Sequence, residues 1–203
     1  MISAHKMIRP IFLLFISILM AACTSIDSKN SNIDWQQQQL LLEQLERYQI
    51  SGKLGYKDPE QRHTFNFLWR HTPAESQLTL TTFLGQSVLK ITMDNNGATV
   101  KTREGDIYKG DDASQLIFNL TKLSIPIEHL SDWMKGLPTA ADSYTLNSDN
   151  IVKHLNKTYN QMRWQLDYQA YAVSDTLLLP QKMQLQQQDT SLKIVISNWT
   201  IDQ

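Results

Sequence analysis

One cysteine, Cys23, has the most distinctive chemical surroundings of any side chain in this 203-residue sequence. A single thiol excludes an internal disulfide, a CxxC redox pair and a multi-thiolate zinc or iron–sulfur site. Ala21 and Ala22 stand directly before it, at the end of an apolar run over residues 11–22. Small residues after a short apolar run are typical of a secretory cleavage site, so Cys23 is expected to become the new N-terminus.

The segment before Cys23 predicts a signal peptide over residues 1–22. Residues 1–10 contain Lys6 and Arg9 and no acid. Residues 11–22 are apolar except for Ser17, and twelve helical residues reach about 18 Å, too short for a bilayer core of about 30 Å. Residues 19–23, LMAAC, resemble a bacterial lipobox, in which the thiol receives a diacylglycerol and the freed amine a third acyl chain. The alternative is an ordinary signal peptide with a coincidental cysteine.

The residues after the signal peptide divide into a tether and one domain. Residues 23–33 are polar and rich in Ser and Asn, and they are interpreted as a lipidated N-terminus with a flexible tether. Residues 34–203 have the length of a single domain. Thr24 follows the cysteine where an aspartate would indicate retention, which by resemblance to Gram-negative lipoproteins suggests sorting to the outer membrane, facing the periplasm.

Side chains suited to catalysis or metal binding show no recognisable spacing. The histidines beyond residue 22, which are His63, His71, His129 and His154, form no metal-ligand motif. No nucleophile elbow, phosphate-binding loop or dinucleotide-binding fingerprint occurs. The net charge of −1 argues against nucleic-acid binding. We therefore expect no enzyme, no metal and no cofactor, although dispersed residues can converge in a folded chain.

Hydrophobic periodicity predicts an α+β fold. Asp34 caps a helix predicted to run to about Tyr48, and period-two alternation then indicates strands such as that of Phe65, Phe67 and Trp69. Two helices are predicted in the middle, the first after a capping box over residues 112–115 and the second beginning at Pro126. Strand periodicity returns from about residue 151. Antiparallel hairpins with helices inserted mid-chain indicate a sheet that wraps around or is covered by those helices.

One connection between strands is unusually apolar. Phe83 and Leu84 lie next to Gly85 between two alternating segments, where a polar loop is the norm. Two interpretations are equally open: the pair folds back into the core, or it forms an exposed apolar tip that touches lipid or a hydrophobic partner.

The chain resembles the LolB family of outer-membrane lipoproteins. Residues 125–138, which read IPIEHLSDWMKGLP, are similar to the family segment P-[IL]-x-x-L-x-x-W-x-x-G-L-P. Supporting matches lie in the same order along the chain: Leu84 with Gly85, Trp164 with Tyr168, Leu179 and Pro180 with Met183, and Asn198 with Trp199. The resemblance covers the sequence from the first helix to Trp199.

The resemblance implies an incomplete antiparallel β-barrel of about eleven strands, whose opening is covered by helices and which encloses an apolar cavity. It implies a receptor that takes triacylated lipoproteins from a LolA-like periplasmic carrier and inserts them into the outer membrane. Leu84 falls on the family's membrane-insertion leucine, and Phe83 stands where relatives commonly have a proline. Cargo and outer-membrane lipid are then the expected partners, and we expect a monomer.

Six side chains are the expected cavity lining, although an ordinary filled core explains each of them equally well: Phe65, Phe67, Trp69, Ile127, Leu130 and Trp133. The competing function is that of an adaptor lipoprotein with a filled core that binds a protein or the cell wall. A cavity of several hundred Å³ separates the two.

Overall fold

A computed structural model describes residues 34–201 of the chain. The first helix, α1 (Trp35–Gln44), begins where the sequence predicts, since the Asp34 carboxylate accepts a hydrogen bond from the Gln36 amide at 3.0 Å. It ends earlier than predicted, because Tyr48 is the first residue of strand β1 and is paired with both neighbouring strands. The spacing of Leu41, Leu45 and Tyr48 predicts one apolar stripe on this helix, but Leu42 and Leu45 are the buried leucines and Leu41 is exposed.

Six strands follow α1, and five more follow the inserted helices. The first group consists of β1 (Tyr48–Lys57), β2 (Arg62–His71), β3 (Glu75–Thr81), β4 (Ser87–Asp94), β5 (Gly97–Thr102) and β6 (Ile107–Gly110). The second group consists of β7 (Ser143–Leu146), β8 (Val152–Tyr159), β9 (Met162–Ser174), β10 (Leu177–Gln187) and β11 (Thr190–Ile201).

All eleven strands found in residues 34–201 belong to one antiparallel sheet. Its order is β6-β5-β4-β3-β2-β1-β11-β10-β9-β8-β7, so the first and last strands pair in the middle. The edge strands β6 and β7 do not pair with each other, which leaves the barrel open. The expected incomplete barrel of about eleven strands is confirmed.

The inserted segment between β6 and β7 forms two helices and a short turn. Helix α2 (Ala113–Thr121) has the predicted cap, since Asp112 Oδ1 accepts from the Gln115 amide at 2.8 Å. A 3₁₀ turn (Ile127–His129) leads into α3 (Leu130–Lys135), which ends at Gly136 with φ +89°. Within residues 34–201 no helix combines the length and apolarity needed to cross a bilayer.

A bulge in β11, whose extra residue is Ser197, lets the sheet bend where the first and last strands meet. The register of β1 with β11 shifts between Ser51 and Gly52. A Cβ on residue 52 would lie 2.0 Å from the Val195 carbonyl oxygen and 3.0 Å from the Phe67 ring. Only glycine fits this close approach, which brings β11 against β1 behind the Phe67 side chain.

Candidate functional site

An apolar cavity of about 320 Å³ lies between one face of the sheet and the inserted helices. In β2 the contributing residues are Phe65, Phe67 and Trp69, because alternate side chains of a strand share one face. Its volume falls in the range of small-molecule sites. The remaining lining residues are Leu54, Tyr56, Leu78, Leu80, Val88, Leu89, Ile91, Ile117, Thr121, Leu123, Ile125, Ile127, Leu130, Met134, Leu185, Leu192 and Ile194.

The side-chain hydroxyls among the lining residues are already hydrogen-bonded to the protein. Thr121 Oγ1 donates to the Ile117 carbonyl oxygen at 2.8 Å and accepts from the Leu123 amide at 3.2 Å. The Tyr56 hydroxyl donates to Asp58 Oδ2 at 2.5 Å. A ligand therefore finds apolar contact in this cavity and no side-chain hydroxyl free to recognise it, which suits flexible hydrocarbon better than a polar molecule.

The hydrogen bond between Tyr56 and Asp58 changes the pKa of both side chains. Burial and the Asp58 carboxylate raise the pKa of Tyr56 to about 12. The hydrogen bond from Tyr56, helped by the Gln61 and Glu60 amides, lowers the pKa of Asp58 to about 2. At neutral pH the pair is thus a phenol donating to a carboxylate, so the hydroxyl proton is already hydrogen-bonded within the protein.

Helices α2 and α3, which form part of the cavity wall, contact the rest of the protein in different ways. Helix α3 is joined to other elements by three hydrogen bonds: Tyr48 Oη to the Ser131 carbonyl at 2.5 Å, Tyr168 Oη to the Trp133 carbonyl at 2.7 Å, and Lys135 Nζ to the Leu45 carbonyl at 3.1 Å. The hydrogen bonds found for residues of α2 stay within residues 112–127. One example is the bond from Ser114 Oγ to the Ile125 carbonyl at 2.8 Å. Helix α2 meets the sheet through apolar contacts alone, around Leu116 and Ile117.

The loop between β3 and β4 presents two large apolar side chains to solvent. Phe83 is 86% exposed and Leu84 is 72% exposed. The loop is closed beneath them by bonds from the Thr82 amide to the Gln86 carbonyl at 2.9 Å and from the Gly85 amide to the Thr82 carbonyl at 3.0 Å. Gly85 has φ +83°, which glycine adopts without strain. The structure therefore favours the exposed apolar tip over the core interpretation.

Comparisons with known proteins agree with this architecture. The family model described as Outer membrane lipoprotein LolB matches residues 46–199. The chain belongs to the LolB family. The Outer-membrane lipoprotein LolB of Vibrio cholerae is 44% identical over 188 residues, which cover 91% of this chain and 92% of that protein. That of Vibrio campbellii is 42% identical over 197 residues, which cover 95% and 97%.

Solved structures resemble the fold beyond the LolB family. A DUF1329 family protein from Desulfovibrio piger aligns with a TM-score of 0.60 and 11% identity, over 83% of this chain and 92% of that one. A LolA superfamily protein from Nitrosomonas europaea aligns with a TM-score of 0.53 and 8% identity, over 84% and 94%. At such low identity these similarities concern the fold alone.

Five of the six side chains expected at a LolB-type cavity lie at its wall, and Trp133 does not. The five are Phe65, Phe67, Trp69, Ile127 and Leu130. The Trp133 indole is fully buried beside the cavity, where Nε1 donates to the Thr139 carbonyl at 2.9 Å. Met134, four residues after Leu130, takes the wall position because residues four apart share a helix face.

Sequence reasoning also missed most of the wall supplied by other strands. Leu54 and Tyr56 of β1 and Leu192 and Ile194 of β11 have the same period-two signal as β2. That signal groups residues on a face, but it does not say which face encloses the cavity. The partnership of β1 with β11, which brings these residues together, depends on pairing between the two ends of the domain.

The structure gives less support to an adaptor with a filled core, to a hydrolase and to a metal-binding protein. A cavity of this size departs from the filled core expected of the adaptor. A hydrolase needs converging groups; His71 Nδ1 lies 2.6 Å from Ser76 Oγ, but no carboxylate hydrogen-bonds that ring in the part of the chain described. Residues 34–201 contain no group of three or more His, Cys, Asp or Glu side chains placed to hold a metal. The predicted signal peptide, Cys23 and the predicted tether over residues 24–33 lie outside the described residues.

Proposed function

We propose that this protein is a receptor anchored to the outer membrane that accepts triacylated lipoproteins from a LolA-like periplasmic carrier and inserts them into the inner leaflet of that membrane. Residues 1–22 serve as signal peptide, Cys23 carries the lipid and residues 24–33 connect it to the cavity-containing domain. The observation that most supports the proposal is the cavity itself, whose wall offers hydrocarbon contact and no free hydroxyl.

Acyl chains suit this wall because burial of each methylene is worth about 0.8 kcal/mol and requires no directional contact. Met134 and the aliphatic side chains around it can adapt to chains of different length. Transfer without a nucleotide motif must proceed downhill, from the carrier to this cavity and then to the bilayer. Affinity in the cavity is therefore intermediate, since the tightest binding would prevent release.

The route into the cavity in this proposal is past α2. Opening at α3 breaks three hydrogen bonds to other elements. Opening at α2 separates the apolar contacts of Leu116 and Ile117 with the sheet and breaks only the hydrogen bonds of Ser114 to residues 125 and 127. The exposed pair Phe83 and Leu84 supports contact with the bilayer at the release step. No cofactor or metal takes part, and the receptor acts as a monomer.

The decisive experiment is transfer of a triacylated lipoprotein from the carrier to liposomes that contain the lipid-anchored receptor. Leu54→Glu places a carboxylate on the apolar wall and should reduce acceptance of cargo by at least tenfold, because an uncompensated charge there is costly. Lys53→Glu is the matched control, since Lys53 is exposed and absent from the lining.

The two variants must first have wild-type circular dichroism, so that loss of transfer reports on the cavity. Cargo acceptance by a folded Leu54→Glu protein at the wild-type rate would contradict the proposal. Equal loss in both variants would contradict it as well, because the effect would then not belong to the cavity wall.

A further inference from the structure

Exposed cations lie on the outer face of the sheet next to the apolar loop. Lys90 of β4, Lys101 of β5 and Arg103 of the following turn, here named the basic flank, are all exposed. Lys90 and Lys101 are direct partners in the β4–β5 register. Like charges opposite each other across two strands repel. None of the ion pairs found within residues 34–201 involves the basic flank, so its charge remains available to an external partner.

The basic flank is continuous with the apolar loop. Arg103 Nη2 donates to Gln86 Oε1 of that loop at 3.2 Å. Lys90 comes three residues after Ser87, where β4 begins, which places it about 10 Å along the strand from the loop. On the other side, Ile107 of the edge strand β6 pairs with Lys101 and is 60% exposed. Cations and bulky apolar side chains thus occupy one surface.

We propose that the basic flank binds the phosphate groups of anionic phospholipids while Phe83 and Leu84 enter the hydrocarbon layer. The inference rests on the proposed function, because it assumes that the loop meets the bilayer. Surfaces that combine Lys or Arg with large apolar side chains bind membrane interfaces through both kinds of contact. An acidic protein would match the charge, but it offers no hydrocarbon layer for Phe83, Leu84 and Ile107.

Two acids in the same turn moderate this surface. Glu104 and Asp106, which follow Arg103 in the β5–β6 connection, are both exposed. They repel anionic headgroups and keep attachment reversible. Neutralising Glu104 should therefore have the opposite effect to neutralising the lysines, and this difference in sign is a sensitive test of the surface.

The test measures the rate of cargo delivery to vesicles that contain the full lipid-anchored protein. One set is pure phosphatidylcholine, and the other contains 30% phosphatidylglycerol by design (about one anionic lipid in three). The wild type should deliver faster to the anionic vesicles, and 0.5 M salt should remove the advantage because salt of this order screens surface charge beyond roughly 4–5 Å.

Lys90→Gln combined with Lys101→Gln should abolish most of the anionic advantage and leave the rate on neutral vesicles unchanged. Each cation near an anionic surface contributes about fivefold, so the expected loss is up to about thirtyfold. Glu104→Gln should increase the advantage. The matched control is Lys153→Gln with Lys182→Gln, which removes two charges from β8 and β10 on the other half of the sheet.

The outcomes separate this inference from the proposed function. If the Lys90/Lys101 variant still delivers faster to anionic vesicles by the wild-type factor, the basic flank does not bind lipid and the inference fails. The inference also fails if the variant is slowed equally on both kinds of vesicle, because that result would indicate docking of an acidic protein. If the Lys153/Lys182 control loses as much of its preference for anionic vesicles as the Lys90/Lys101 variant, the effect is one of net charge and the inference fails. Absence of delivery by the wild type to either vesicle would instead overturn the proposed function.

Discussion

The ammonium group of Lys135 lies 3.1 Å from the backbone carbonyl oxygen of Leu45 and joins α3 to the junction between α1 and β1. Asp132 lies 3.2 Å from the same ammonium group, one helical turn earlier. Lys135 is almost wholly buried, which is unusual for lysine unless its charge is paired. The Leu45 carbonyl belongs to the segment where the first helix gives way to the first strand, so this contact holds the helical wall to the barrel.

Lys135→Met should lower the free energy of unfolding by about 1.5–3 kcal/mol. It removes a charged hydrogen bond and leaves the Leu45 carbonyl without its side-chain donor. Urea denaturation measures the change, and Lys153→Met, at an exposed position in β8, is the control. Unchanged stability in the Lys135 variant would show that the contact contributes no net free energy.

Leu84→Glu should leave the fold intact and impair delivery of lipoproteins to membranes. Leu84 is largely exposed, so the substitution costs little in the folded protein, but a carboxylate does not enter hydrocarbon readily. Asn95→Glu adds the same charge to the exposed β4–β5 turn at the opposite end of the strands and should deliver normally. Normal insertion of cargo into liposomes by the Leu84 variant would rule out a role for this side chain.

Amide hydrogens of α2 should exchange with solvent faster than those of α3. The side-chain hydrogen bonds of α2 stay within its own segment, whereas Tyr48, Tyr168 and Lys135 tie α3 to the rest of the molecule. Local opening is easiest where the fewest contacts join an element to the rest of the molecule. Mass-spectrometric exchange with and without a triacylated peptide provides the measurement, and slower exchange in α2 than in α3 would contradict the proposed route.

Tyr56→Phe should raise the pKa of Asp58 from about 2 toward the ordinary aspartate range, because the hydrogen bond from the phenol is lost. A depressed carboxyl pKa stabilises the fold above the ordinary range, and this contribution disappears as the pH falls through about 2. The stability difference between wild type and variant should therefore be present at neutral pH and shrink in acid.

The Tyr56 substitution should also leave binding of acyl chains unchanged, since the hydroxyl is bonded to Asp58 and not offered to the cavity. NMR titration of the Asp58 carboxyl and binding of a triacylated peptide measure the two effects. An unshifted Asp58 titration would disprove the assigned cause, and weakened acyl binding would show that the hydroxyl contributes to the site.

Replacing Cys23 with a non-lipidated start should retain the folded domain and abolish permanent anchoring. Cys23 is the only cysteine in the sequence, so no disulfide depends on its thiol. Circular dichroism and membrane fractionation of the secreted variant measure the two effects. Loss of the folded state, or membrane association equal to that of the wild type, would contradict the assignment of Cys23 as the anchor.

The local elements with a side-chain signal could be predicted from the sequence. Asp34 and Asp112 cap the helices that they were expected to cap, since the carboxylate and the amide it accepts from are two or three residues apart. Alternation correctly grouped Phe65, Phe67 and Trp69 on one face of a strand. Residues 125–138 indicated the family, which the comparisons confirm.

The remaining features depend on contacts between residues far apart in the chain. Tyr48 leaves helical periodicity because His71 and Ile201 pair with it, a preference that no window around Tyr48 contains. Trp133 turns from the cavity because its indole Nε1 donates to the Thr139 carbonyl oxygen. The sequence alone therefore determined the elements, their faces and the family, since these rest on neighbours within a few residues. Only the tertiary structure decided that one face encloses a cavity, because its volume depends on how β1–β4, β10, β11 and the helices lie in space.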